Sequence, residues 1–133
     1  MRFPQVLIYE GDGRLAALLR ETLALGQGGD KRRWALRSPR LASSCLRLLR
    51  GAGPSVLVLK LGRDPKRHEM PLLEQVTWLY PDTATVVVSE LDNPALAGLA
   101  WDLGARCVLF PPQTRDQLPG VVAGLMEAMM PKK

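Results

Sequence analysis

The spacing of apolar residues along this chain switches repeatedly between strand and helix patterns. It predicts five strands, each followed by a helix. Residues 5–9, QVLIY, form a short apolar run that reads as a strand. Over residues 13–25, Leu15, Leu18, Leu19, Thr22 and Leu23 fall on one helical face. The GQGGD that follows marks a stop and a loop. Trp34 and Leu36 alternate with charge over residues 33–37, the pattern of a half-exposed edge strand. A second helix opens at Ser38 or Pro39, runs through Leu49 and stops at Gly51.

The strand over residues 55–60 is the clearest. Val56, Leu57, Val58 and Leu59 are consecutive apolar residues, as in a parallel strand buried on both faces, and the run ends on Lys60. A loop of about ten residues leads to Pro71, well placed at the start of a third helix that ends before Pro81. Residues 83–89 read as a strand. Residues 93–103 read as a helix capped by Asn93 and stopped by Gly104. A fifth strand covers 106–110, and a fifth helix runs from Thr114 or Asp116 to Met130. This order implies one α/β domain over residues 1–133, a parallel sheet with helices on both faces.

Composition agrees with that picture. At 133 residues, 47% hydrophobic and 23% charged, the chain suits one globular domain with one core. Cys45 and Cys107 have neither metal spacing nor disulfide density, so reduced thiols in a cytoplasmic protein are expected. The apolar run at 6–9 is far too short for a signal-peptide core or a membrane span.

Charge adds one feature. The formal net charge is +5, but residues 1–67 carry 14 of the 18 lysines and arginines and 5 of the 13 acids. That half is strongly basic and the remainder is acidic. Such a field can steer an acidic partner or nucleic acid. Lys31, Arg32 and Arg33 form the densest basic patch, with Arg40, Arg47 and Arg50 on the second helix. Basic residues at a sheet edge also guard it against stray pairing.

Catalytic patterns are missing. There is no Ser/His/Asp order, phosphate-cradling glycine loop or cysteine cluster, and His68, the single histidine, lies in a basic loop. No enzyme activity, cofactor or metal is expected.

Four stretches carry a family resemblance: VLIYEGDGRL, PSVLVLKLG, PLLEQVTWLYPDTATVVVS and LAWDLGARCVLFPP. Together they make the chain, from Gln5 to about Met130, resemble the receiver domain of response regulators, a CheY-like domain of bacterial two-component signalling. The resemblance implies a flavodoxin-like (βα)5 sheet in the order 2-1-3-4-5, with its site at the carboxyl ends of the strands. An active site of that kind needs an acidic pair for Mg²⁺, a phosphoacceptor aspartate, a Ser or Thr, and a lysine.

Carried onto this sequence, the acidic pair falls on Glu10 and Gly11, with Asp12 next to them. The phosphoacceptor position falls on Lys60, the hydroxyl position on Ser89, and the lysine position on Pro111. An amine cannot become an acyl phosphate, and its charge opposes a divalent cation. The expectation is a pseudo-receiver, in which Glu10 pairs with Lys60 and Ser89 is a vestige.

Such a module would act in signalling or scaffolding through protein partners. The face of the fourth helix, fifth strand and fifth helix is the candidate homodimer or partner surface. Trp101 there reads equally as an interface anchor or as boundary packing. Val108 falls at the aromatic switch position of the family. Trp78 is expected in the core or at its boundary. The alternative is a receiver-like part of a transcription regulator, or direct nucleic-acid binding through the basic half.

Overall fold

The structure is a computed structural model that describes residues 4–26, 35–51, 53, 55–90, 93–111 and 113–129; the side chains of 23–26 and 115 also lie outside the description. Its elements alternate as the periodicity predicts. They are β1 (Gln5–Tyr9), α1 (Arg14–Gly26), β2 (Ala35–Arg37), α2 (Ala42–Arg50), β3 (Ser55–Lys60), α3 (Glu69–Leu79), β4 (Ala84–Val88), α4 (Pro94–Asp102), β5 (Cys107–Leu109) and α5 (Gln113–Met129).

All strands are parallel, in the order β2-β1-β3-β4-β5. This is the doubly wound flavodoxin-like order. Because side chains alternate across a strand, the central strands feed two cores. Val6, Ile8, Val56, Val58 and Val86 pack with Leu19, Leu118 and Met126 of α1 and α5. Leu7, Leu57, Leu59 and Val87 pack with Leu49, Leu73, Val76 and Ala100 of α2, α3 and α4. Burial on both faces explains the unbroken apolar runs of β3 and β4.

Strand limits shift by about a residue at β4 and β5, and three helix starts differ from expectation. The helix α2 starts at Ala42, not at Ser38 or Pro39, and Leu41 before it is still extended. Ser38 precedes a proline, which disfavours helical backbone, and Pro39 is buried. The helix α3 starts at Glu69, which places Pro71 inside its first turn, where a missing N–H costs nothing. The helix α5 begins at Gln113 and carries Pro119 within it.

One turn is tightly specified. Asn93 caps α4 by accepting from the N–H groups of Ala95 and Leu96. At the other end, Gly104 takes φ +111, and a Cβ there would lie 2.4 Å from Thr77 Oγ1. The Thr77 hydroxyl donates to the carbonyl oxygens of Leu73 and Leu103, joining the ends of α3 and α4. No helix among the described residues is long and apolar enough to cross a membrane.

Candidate functional site

The register of the sheet places the site. Tyr9, the last residue of β1, lies opposite Leu59, and Lys60 lies opposite Val88 of β4. The residues after β1 and β4 therefore flank Lys60. They open into a depression of about 1130 Å³ at the carboxyl ends of the strands, lined by Glu10, Gly11, Asp12, Lys60, Ser89 and Glu90, among others. That is where this sheet class presents ligand sites.

Lys60 is one of the residues lining the depression. Its side chain is only 12% exposed, and its Nζ lies 3.0 Å from Asp12 Oδ2 and 2.8 Å from Glu90 Oε1. Burial alone would lower the lysine pKa, but the hydrogen bonds to Glu90 and Asp12 outweigh it and raise it. Lys60 is therefore an ammonium ion at neutral pH. The same contact holds the Asp12 carboxyl at about 2, helped by the N–H of Arg14.

Glu10 does not pair with Lys60 as expected. Its carboxylate turns to α1 instead, accepting from the N–H groups of Leu15 at 2.9 Å and Ala16 at 2.8 Å. The first turn of a helix leaves N–H groups without intrahelical partners and carries partial positive charge. Glu10 answers both needs, which leaves Asp12 and Glu90 to the lysine.

The remaining pocket positions are also in place. Ser89 is 4% exposed, and its N–H donates to the carbonyl of Leu109. Pro111, at the end of β5, is exposed and supplies no cation. A divalent cation, which the family resemblance implies, does not fit these residues. Both Glu10 oxygens are committed to α1, Gly11 has no carboxylate, and an ammonium ion sits against Asp12. Among the described residues, no group of three or more His, Cys, Asp or Glu could hold a metal ion.

Sequence reasoning missed two residues. Glu90 became a partner of Lys60 only through the β3–β4 register, although it directly follows the strand-four serine. Glu69 is buried, and its carboxylate accepts from the N–H of Gly62, tying the loop after β3 to α3. Nothing in the local spacing of residues signals it.

The candidate contact residues separate. Trp101 is 51% exposed on α4, and Val108 on β5 is half-buried. Trp78, expected in the core or at its boundary, is 83% exposed. The inward face of α3 is filled by Glu69, Leu72, Leu73 and Val76, and position 78 points away from it. Lys31, Arg32 and Arg33 lie outside the described residues. Cys45 and Cys107 are free, and burial pushes the Cys45 thiol up to about 12 and raises that of Cys107.

No protein-family model matches the sequence, and no curated protein matches it. Solved structures do match. The signal receiver domain of a protein assigned as a Luxo repressor from Vibrio parahaemolyticus is similar at 19% identity, covering 97% of this chain and 93% of that one, with a TM-score of 0.75. A Francisella response regulator 1452 receiver domain is 18% identical, covering 96% and 99%, with a TM-score of 0.74. The Salmonella typhimurium RcsB response regulator, described for conformational dynamism in DNA interaction, is 15% identical. The match covers all of this chain and 64% of that one, with a TM-score of 0.69. The fold of this chain is thus that of response-regulator receiver domains.

Proposed function

We propose that this protein is a receiver-like signalling module that works through protein–protein contacts and is independent of phosphorylation. The observation that carries this is the ammonium group of Lys60, held between Asp12 and Glu90. A receiver that forms an acyl phosphate needs a carboxylate nucleophile at that place. It also needs a cation site, which Glu10, Gly11 and Asp12 do not offer.

In a switching receiver, a charge added at this point biases a two-state surface. Here a fixed charge occupies the point. Lys60 ties the loop after β1 to the loop after β4, and α4 begins just beyond the latter. The module is read as a protein whose surface state is fixed or set by an input other than phosphorylation, with no catalytic role and no cofactor, acting in the cytoplasm. Half-exposed Trp101 on α4 and half-buried Val108 on β5 support the face of α4, β5 and α5 as the contact surface, for a partner or a second copy.

Co-purification from native lysate, with nuclease treatment and washes at low and high salt, tests the reading. A discrete protein retained through both treatments, and lost with Trp101→Ala, is the expected result. Nucleic acid recovered only at low salt would favour the alternative, binding through the basic half. The charge asymmetry between the two halves is the observation in its favour.

A further inference from the structure

We infer that the depression beside Lys60 is a binding site for a small phosphate ester of the nucleoside diphosphate type, with Arg40 and Arg63 holding its phosphates. The inference rests on the reading above, since the ligand would supply the input that phosphorylation supplies elsewhere. The depression lies where the strand order reverses, between β1 and β3, the crevice at which sheets of this kind bind ligands. Its size, about 1130 Å³, accommodates a nucleotide-sized molecule.

The charges lining it sort into used and unused. Glu10 is committed to the N–H groups of α1. Asp12 and Glu90 share Lys60, and Glu69 accepts from Gly62. Every acid in the depression thus has a partner. Arg40, before α2, and Arg63, in the loop after β3, line the same depression, and among the described residues neither has an ion pair or hydrogen bond. Two guanidinium groups lining one depression offer forked donors to phosphate oxygens. Lys66 and Arg67 in the same loop reinforce the field on that side.

The body of the ligand has a surface too. Tyr9, half-buried, lines the depression together with Leu61 and Pro65, and these aromatic and apolar residues suit a planar ring. Burial, with Glu69 nearby, raises the Tyr9 pKa, so the phenol remains a neutral donor. The combination discriminates between ligands. Pyrophosphate would use only the arginines, whereas a nucleotide would use both parts.

Calorimetric titration with ADP and with pyrophosphate, at an ionic strength of about 0.15 M, tests the site. ADP should bind, and more tightly than pyrophosphate. The double variant Arg40→Ala/Arg63→Ala should weaken ADP by about tenfold or more while keeping the melting temperature of the unliganded protein, because both side chains are exposed. Absence of ADP binding in the millimolar range would overturn the inference. So would ADP binding that the double variant leaves unchanged, which would mark it as diffuse attraction to the basic half. A phosphoryl group gained from acetyl phosphate would instead contradict the functional reading, and the titration does not depend on that result.

Discussion

Lys60 and Glu90 meet at 2.8 Å across the ends of β3 and β4, and Asp12 closes on the same ammonium from the loop after β1. One side chain joins two loops 30 residues apart in sequence on one side and 48 on the other. Its partners are 42% and 65% exposed, so water screens the attraction. Lys60→Met should cost about 1 kcal/mol at neutral pH by urea denaturation. The folded-state pKa of Lys60 is raised, so on the alkaline side its contribution is kept until pH climbs past the usual lysine range, while on the acid side it is lost with the charge of Asp12. Unchanged stability at neutral pH in Lys60→Met would mean the contact is ornamental.

Asp12 gives the opposite pH signature. Its pKa is depressed from 3.8 to about 2, chiefly by the hydrogen bond from Lys60. A depressed carboxyl stabilises the fold above its unfolded pKa, and the contribution is lost as pH falls from about 4 through 2. A carboxyl-detected NMR titration should find Asp12 near 2 in the wild type. In Lys60→Met the value should return toward the ordinary range. If it stays near 2, the backbone N–H of Arg14 rather than Lys60 is responsible.

Glu10 should behave as part of α1, not as part of the lysine network. Glu10→Ala removes the acceptor for two N–H groups and a charge at a helix N-terminus. A loss of about 1 kcal/mol is expected. Hydrogen exchange at the amides of Leu15 and Ala16 should accelerate selectively, while the Asp12 titration changes little. Equal acceleration throughout the chain would argue for general destabilisation instead.

The turn between α4 and β5 offers a contrast between two glycines. Gly104→Ala meets both a positive φ and the Thr77 side chain, so a loss of about 2 kcal/mol or more is expected. Gly13 also has a positive φ, at +77, but nothing lies within 4 Å of its added Cβ. Gly13→Ala should therefore cost only the backbone strain, about 1 kcal/mol. Similar losses at the two positions would show that Thr77 moves aside freely.

Much of the fold could be read from the chain because two-sided burial writes itself as apolar runs. The limits of β1 and β3 follow directly from the apolar runs at residues 5–9 and 55–60, whereas the strand order was implied by the family resemblance. Helix starts were less legible, since Pro39 looks like a helix opener until its burial is known. Trp78 misled for a related reason. Its hydrophobicity suggested the interior, but helical phase places it opposite Leu72, Leu73 and Val76. At the site, Lys60 stood out by type and position alone. Its partners did not, because Glu10 had a stronger local claim at the start of α1 and Glu90 is brought in by strand pairing.

Independence from phosphorylation is tested most directly by intact mass spectrometry after incubation with acetyl phosphate and Mg²⁺. The expected result is an unchanged mass for both the wild type and Lys60→Met, because neither places a carboxylate nucleophile at the end of β3. A gain of one phosphoryl group by the wild type, lost on treatment with hydroxylamine as an acyl phosphate would be, would contradict the proposed function.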